Sequence, residues 1–155
     1  MISELKRLSG EDMELLIKAP LLVSILIAGA DGKIDRNEIK GAIGATKKKA
    51  KGKSSLKAYY ENVSEDFEDK LKVLIQSYPS SPEQRGIQIS DELAGLNDVF
   101  SKIQGTLSVE IYESLKSLAL NIAQSSGGLF GLKSIGPEEE RYVDLKMIKP
   151  PAANR

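Results

Sequence analysis

The chain has 155 residues, with 22 basic and 22 acidic side chains, and it contains no cysteine, histidine or tryptophan. This length favours one domain with a sizeable core. The balanced charge argues against general nucleic-acid binding, which draws on an excess of lysine and arginine. The missing residue types exclude disulfides, thiolate zinc sites and histidine-based catalysis, so any metal site must use oxygen ligands.

Two helical segments are predicted in the first 30 residues. Ser9 can cap a helix over residues 10–18, and Pro20 fits the first position of the next helix. The run from Leu21 to Ala30 is almost entirely apolar, and a helix that is apolar on all sides is either buried or spans a membrane. This run has about ten residues and a span needs roughly 20, so we expect a core helix and no transmembrane segment.

An acidic glycine turn follows the apolar run. Asp31 and Gly32 indicate a turn, and Asp35 with Glu38 matches a capping box at the start of the next helix. The same residues match half of a calcium loop, with Gly32 at position six and Glu38 at position twelve. Positions one and three of that loop carry no side-chain oxygen in this sequence. Asp31 and Asp35 are therefore either turn and cap residues alone or ligands of a hard cation.

A run of lysines comes after the next predicted helix. It contains Lys47, Lys48, Lys49, Lys51, Lys53 and Lys57. Such a run usually forms a solvated helix end. The alternative is a docking surface for an acidic partner or for anionic lipid, since each basic residue near an anionic surface contributes about 1 kcal/mol.

Further helices are predicted where apolar positions recur three or four residues apart. These segments are Leu56–Val63, Glu65–Tyr78 with Ser64 as its cap, Ser81–Leu107, Ser108–Ala123 and Pro137–Ile148. Tyr59 and Tyr60 are interpreted as packing residues, and the alternative is that they are exposed contacts. The fold class predicted from these segments is all-α, a single-domain bundle of about seven to eight helices.

The chain contains an apparent internal repeat. Both Leu22–Ile43 and Leu118–Ile148 read as an apolar helix, a glycine turn and a helix start with a glutamate at the third position. If the two units are related by a pseudo-twofold axis, five carboxylates can face a shared region. They are Asp31, Asp35, Glu38, Glu138 and Glu139. We predict weak binding of Ca²⁺, or of Mg²⁺ or Mn²⁺, unless the glutamates only favour helix N-termini.

The motif Ala28-x-Ala30-Asp31-Gly32-Lys33-Ile34-Asp35-x-x-Glu38-Ile39 resembles the signature of the TerB-like tellurite-resistance family, a domain also found at the N-terminus of some J-domain co-chaperones. The resemblance is good for Leu21–Ile43 and weaker for Leu115–Ile148. It implies an all-helical fold of two helix–acidic turn–helix units, a link to stress resistance, membrane-associated complexes and an acidic metal-binding surface.

We therefore expect a TerB-like domain over residues 1–149 and a flexible C-terminal tail over residues 150–155. The expected function is a non-enzymatic, stress-associated module that binds a divalent cation weakly and acts as a protein-interaction scaffold. The alternative is a metal-free interaction domain that uses the Lys47–Lys57 run. No spacing singles out the separated carboxylate pair that an enzyme would need. No N-terminal signal is visible, so the expected location is cytoplasmic or peripheral at the inner face of the membrane.

Overall fold

The computed structural model describes residues 3–30, 32–34, 36–52, 55–125 and 141–152. Within these ranges every regular element is helical, which confirms the all-α class. A 3₁₀ helix, Ser3–Arg7, precedes α1 (Gly10–Ala28), α2 (Arg36–Lys51), α3 (Lys57–Ser64), α4 (Phe67–Ser77), α5 (Pro82–Ala94), α6 (Leu96–Ser101) and α7 (Gly105–Ser125). Only Gly95 separates α5 from α6. If those two count as one bent helix, the described residues hold slightly fewer helices than predicted.

Helix α1 lies at the centre of the bundle, where it contacts all the other described α-helices. Every residue from Ala19 to Ala28 is buried, as the apolar run predicts. Each fully buried leucine, isoleucine or valine contributes about 1.5–3 kcal/mol to folding, so this helix supplies much of the core. Among the described residues, no helix combines the length and the hydropathy that crossing a bilayer requires.

The prediction that a new helix begins at Pro20 is wrong, because α1 runs without interruption from Gly10. Ser9 caps it as predicted, since the Ser9 hydroxyl accepts a hydrogen bond from the Asp12 N–H at 3.1 Å. Pro20 has no N–H to bond the Leu16 carbonyl one turn earlier. A hydroxyl from α3 bonds that carbonyl instead, so the helix continues through the proline.

Helix α7 is the second core helix, and it packs against α1 and α2. Its predicted apolar face is confirmed as buried at Ile111, Leu115, Leu118, Ala119, Ile122 and Ala123. Tyr59 and Tyr60 of α3 are also buried, with 0% and 1% of their surface exposed. The packing interpretation of this pair is confirmed, and the alternative that both are exposed contacts is wrong.

The predicted last helix is wrong for residues 141–148, which form consecutive turns. The Leu145 N–H donates to the Tyr142 carbonyl at 2.9 Å, and the Ile148 N–H donates to the Leu145 carbonyl at 3.0 Å. Leu145 and Ile148 are nevertheless buried, so the predicted apolar contacts form through turns. The second acidic turn lies in residues 126–140, outside the described residues, so the pseudo-twofold repeat stays a prediction.

The physical reason for these turns is an anchor on α6. The Asn97 side-chain amide donates to the Met147 carbonyl at 3.0 Å, and its oxygen accepts from the Lys149 N–H at 2.8 Å. In a continued helix the Lys149 N–H would donate to the Leu145 carbonyl. The Met147 carbonyl, by contrast, would face Pro151, which has no N–H. The two bonds to Asn97 therefore favour turns over a helix in this segment.

Candidate functional site

The structure describes one of the five carboxylates that were predicted to hold a cation. Glu38 lies in the first turn of α2 and is only 2% exposed. The others, Asp31, Asp35, Glu138 and Glu139, lie outside the described residues. Within the described part of the chain, no group of three or more acidic residues is placed to hold a metal ion. Because most of the predicted ligands lie outside this part of the chain, the cation site stays a prediction.

An arginine holds the turn between α1 and α2. The Arg85 guanidinium, at the start of α5, donates from Nη2 to the carbonyls of Gly29 at 2.7 Å and Gly32 at 3.1 Å. Its Nη1 donates to the Ser80 carbonyl at 3.3 Å. Burial lowers the pKa of Arg85 from its usual value, yet a guanidinium stays charged in a protein. The turn therefore has a buried positive charge at the C-terminal end of α1.

This charge bears directly on the predicted cation site. The C-terminal end of a helix carries a partial negative charge and unpaired carbonyls, which favour a cation. Arg85 already supplies that cation. In the calcium-loop alignment its bonds go to the carbonyls at positions three and six, so a metal ion would be placed close to a fixed guanidinium.

The two glycines of this turn each have a structural reason. A Cβ at Gly29 would lie 2.6 Å from the Arg85 Nη2, so only glycine lets the guanidinium approach the end of α1. Gly32 has φ +120°, a conformation that other residues rarely adopt. Gly32, which suggested a calcium loop, is therefore explained by its backbone conformation, and Gly29 is explained by the contact with Arg85.

The sequence analysis missed Arg85, although a signal for it was present. Arg85 precedes Ile89 by four residues and Leu93 by eight, and it therefore lies on the apolar stripe of α5. A charged residue on such a stripe is buried with its partners, because an unpaired buried charge is costly. The position of Arg85 in the helical period indicates a buried structural cation.

The lysine run forms the exposed end of α2, as its composition predicts. The exposed members on α2 are Lys47, Lys48 and Lys51. Lys49 is half-buried, and its ammonium lies 5.7 Å from the centre of the Tyr60 ring. Burial lowers the pKa of Lys49, and the neighbouring Lys48 lowers it further. Lys53 lies outside the described residues.

A groove that the sequence analysis did not anticipate lies between α1 and α4. Its volume is about 760 Å³. Its floor and walls are apolar and consist of Met13, Ile17, Leu21, Val73 and Leu74. Its charged rim consists of Glu14, Lys18, Asp69 and Lys70. Val73 is 65% exposed, the largest exposure of any large apolar side chain among the described residues.

The groove exists because α4 packs mainly on α1 and buries few side chains. Among the described residues of α4, only Phe67 and Leu71 are buried. Val73 follows Leu71 by two residues and therefore points away from the predicted stripe. A signal for the groove was present in the sequence, since Val73 is an apolar residue outside the face that α4 buries.

One end of the groove is fixed by a polar cluster. The Lys18 ammonium lies 3.0 Å from Glu92 Oε2 and 5.9 Å from the centre of the Tyr78 ring. The Tyr78 hydroxyl donates to Glu92 Oε1 at 2.6 Å. Burial raises the pKa of Tyr78, and the bond to the Glu92 carboxylate raises it further. Lys18 is thus neutralised by a neighbour within the protein.

The other charged rim residues have no such partner. Across the described ranges, none of the ion pairs involves Glu14, Asp69 or Lys70. All three side chains are exposed. The rim that remains available to a ligand therefore carries two negative charges and one positive charge.

No protein-family model, curated protein or solved structure matches this chain. The TerB-like resemblance continues to rest on the motif from Ala28 to Ile39. The function must be argued from the turn, the lysine run and the groove.

Proposed function

We propose that this chain is a non-enzymatic interaction module of the TerB-like, stress-associated type, and that the groove between α1 and α4 binds a protein partner. The observation that carries the proposal is the apolar groove itself, with Val73 exposed on its wall. Apolar surface in contact with water is unfavourable, and a contiguous apolar patch with a polar rim is typical of an interaction site.

The charged groups around the groove support a binding role over a catalytic one. Acid–base catalysis by two carboxylates needs environments that separate their pKa values. Glu14 and Asp69 are both exposed at the rim, so neither lies in a site from which water is excluded. Lys18 is held by Glu92 and Tyr78. These placements favour recognition of a partner surface.

Weak binding of Ca²⁺, Mg²⁺ or Mn²⁺ at the turn between α1 and α2 is a second part of the proposal. The half-calcium-loop pattern of Asp31, Gly32 and Glu38 supports it, and Glu38 lies in the first turn of α2. The Arg85 guanidinium opposes it, since this group already bonds the Gly29 and Gly32 carbonyls. A cation would therefore bind through the carboxylates of the turn.

The alternative proposal is a metal-free interaction domain that uses the lysine run. The exposure of Lys47, Lys48 and Lys51 supports it. Tyr59 and Tyr60 cannot contribute, because both are buried. A membrane-associated complex, at a cytoplasmic or peripheral location, is an expectation from the family resemblance alone.

Recovery of partners from the native host tests the proposal. Tagged wild-type chain is compared with Val73→Glu, and Ile87→Glu serves as the control because Ile87 is 57% exposed on α5, away from the groove. Val73→Glu should reduce recovery of a specific protein at least about tenfold, since a charge placed in the centre of an interface costs more than about 1.4 kcal/mol. Equal recovery by all three chains would refute the groove as the binding surface.

A further inference from the structure

We propose that the occupant of the groove is one amphipathic α-helix of about three turns that carries basic side chains along one edge. This inference deepens the proposed function and rests on it. It follows from the length of the groove, from the helices that form its walls and from the charges left unpaired on its rim.

The geometry of the walls fits a helix. The α1 wall runs from Gly10 to Leu21 and uses positions that recur three and four residues apart, which is one face of a helix. At 1.5 Å per residue this wall is about 16 Å long, or about three helical turns. The α4 wall faces it with Val73 and Leu74. Two helices side by side leave a groove that receives the side-chain ridge of a third.

Other forms of peptide fit the groove less well. A strand is recognised by pairing with an exposed sheet edge, and every regular element among the described residues is helical. A polyproline segment is recognised by aromatic side chains, and none of the described residues that line this groove is aromatic. A helix requires only an apolar channel, which this groove provides.

The rim charges select a basic partner. Among the described residues of the rim, Glu14 on the α1 side and Asp69 on the α4 side are exposed without an ion pair, and Lys70 is the one rim cation in that state. Lysine and arginine side chains on the edge of a bound helix can lay their aliphatic parts over the apolar floor, so that their charged ends reach these carboxylates. Rim charges of this kind set specificity and the rate of association.

A second copy of the chain does not supply such a helix within its described residues. Outside the groove the large exposed apolar side chains are Ile87 on α5 and Leu120 on α7. Each is isolated on its own helix, and neither forms a ridge of three apolar residues. Because the described residues of a second copy offer no such helix, we assign the occupant to a different protein.

The test uses a displayed library of random peptides, selected on the full chain and counter-selected on Val73→Glu. Enriched peptides should carry apolar residues at spacings of three, four and seven, with lysine or arginine beside that stripe. A labelled peptide from the selection should bind Val73→Glu at least about tenfold more weakly than wild type, and Ile87→Glu equally well. The double variant Glu14→Lys/Asp69→Lys should prefer the peptide whose basic residues are replaced by glutamate.

The proposal is overturned if nothing is enriched, if the enriched peptides lack helical spacing or basic residues, or if reversal of the rim charges leaves the peptide preference unchanged. It is also overturned if a fluorescent fatty acid binds the groove in a Val73-dependent way, or if sedimentation shows a dimer that Val73→Glu dissociates. Loss of host partners in Val73→Glu without a helical pattern in the library would defeat this inference and leave the proposed function intact. Recovery of the same host partners by Val73→Glu would defeat both.

Discussion

The Tyr59 hydroxyl on α3 donates a hydrogen bond to the Leu16 carbonyl in the middle of α1, across a distance of 2.6 Å. Leu16 is the residue whose carbonyl would normally accept from position 20, where the chain has a proline without an N–H. Leu16 and Tyr59 are both fully buried, so no water can replace the missing donor. The tyrosine therefore completes the hydrogen bonding of α1 from another helix.

Removal of this hydroxyl should reveal its role. We expect Tyr59→Phe to lower the free energy of unfolding by about 1–3 kcal/mol, because the Leu16 carbonyl is then buried without a donor. Tyr60→Phe is the matched control, since the Ser114 hydroxyl that loses Tyr60 can still donate to the Ile111 carbonyl. The effect of Tyr60→Phe should be smaller, and urea unfolding measures both.

A double-variant cycle makes this prediction specific. Pro20→Ala restores an N–H that can reach the Leu16 carbonyl. In that background Tyr59→Phe should cost clearly less than in the wild-type chain. An unchanged cost would show that the tyrosine stabilises the protein through packing, and the proposed link between Tyr59 and Pro20 would be rejected.

Arg85 should be necessary for the order of the turn between α1 and α2. We expect Arg85→Met to lower the free energy of unfolding by about 2 kcal/mol or more, because charged hydrogen bonds to the buried Gly29 carbonyl and the part-buried Gly32 carbonyl are lost. Hydrogen exchange should accelerate at the Gly32 amide, which donates to the Gly29 carbonyl at 3.2 Å. Gly29→Ala should act in the same direction, since its Cβ displaces the guanidinium.

The exposed Arg141 on the C-terminal segment provides a control for this experiment. Arg141→Met should change the free energy of unfolding by less than about 0.5 kcal/mol, as is usual for surface positions. Normal exchange at Gly32 in Arg85→Met would contradict the assignment of Arg85 as the residue that orders the turn.

Cation binding is tested by thermal unfolding in EDTA and then across a calcium series, with magnesium as a second cation. Calcium at about 100 times its dissociation constant would add about 2.7 kcal/mol, which is a rise in Tm of roughly 5–10 °C for a domain of this size. The rise should saturate, and it should be absent in Asp31→Asn/Glu38→Gln. If millimolar calcium leaves the Tm unchanged, Asp31, Asp35 and Glu38 act only in the turn and the helix cap.

Stability should depend little on pH near neutrality and fall in alkali. Burial raises the pKa of Tyr59 and Tyr60 above the usual value of tyrosine. Their neutral forms are therefore favoured by folding, so this contribution is complete below about pH 10 and is lost as the pH rises further. The chain has no histidine or cysteine, so no side chain with an ordinary pKa titrates between about pH 6 and 8.

Urea midpoints between pH 6 and 11 measure this dependence. Each buried tyrosine should cost up to about 1.4 kcal/mol per pH unit above its unfolded pKa. The alkaline slope should be shallower in Tyr59→Phe, which has one fewer group to ionise. Formation of tyrosinate absorbance for all tyrosines while the circular dichroism stays native would contradict the assignment of Tyr59 and Tyr60 as buried groups.

Local chemistry explains which parts of the fold are readable in the sequence. Ser9 and Ser81 each accept a hydrogen bond from the backbone three residues ahead, as their positions before helices predict. The predicted Ser64 cap is wrong, because Ser64 ends α3 and its hydroxyl donates to the Glu61 carbonyl. The apolar face of α7 has the spacing of a buried helix side, and the run in α1 is apolar all round. In these cases the cause and its effect lie within one or two turns of the same helix.

The candidate site is harder to predict from the sequence, because its residues come from segments that are far apart along the chain. The groove arises where α4 leaves Val73 uncovered beside α1, and the turn is held by Arg85 from 53 to 56 residues away. Both have weak signals, a valine off the stripe of α4 and an arginine on the stripe of α5. Neither signal indicates which helix or turn lies against that residue in the folded chain.

The sequence by itself determined the all-helical class, the buried central helix and the capped helix starts, because periodicity and capping depend on neighbours along the chain. Only the tertiary structure decided that α1 continues through Pro20, with a donor 43 residues away, and that the segment at residues 141–148 forms turns on Asn97. It also decided that α1 and α4 leave an open groove. These features depend on which helix packs beside which, and no local pattern encodes that choice.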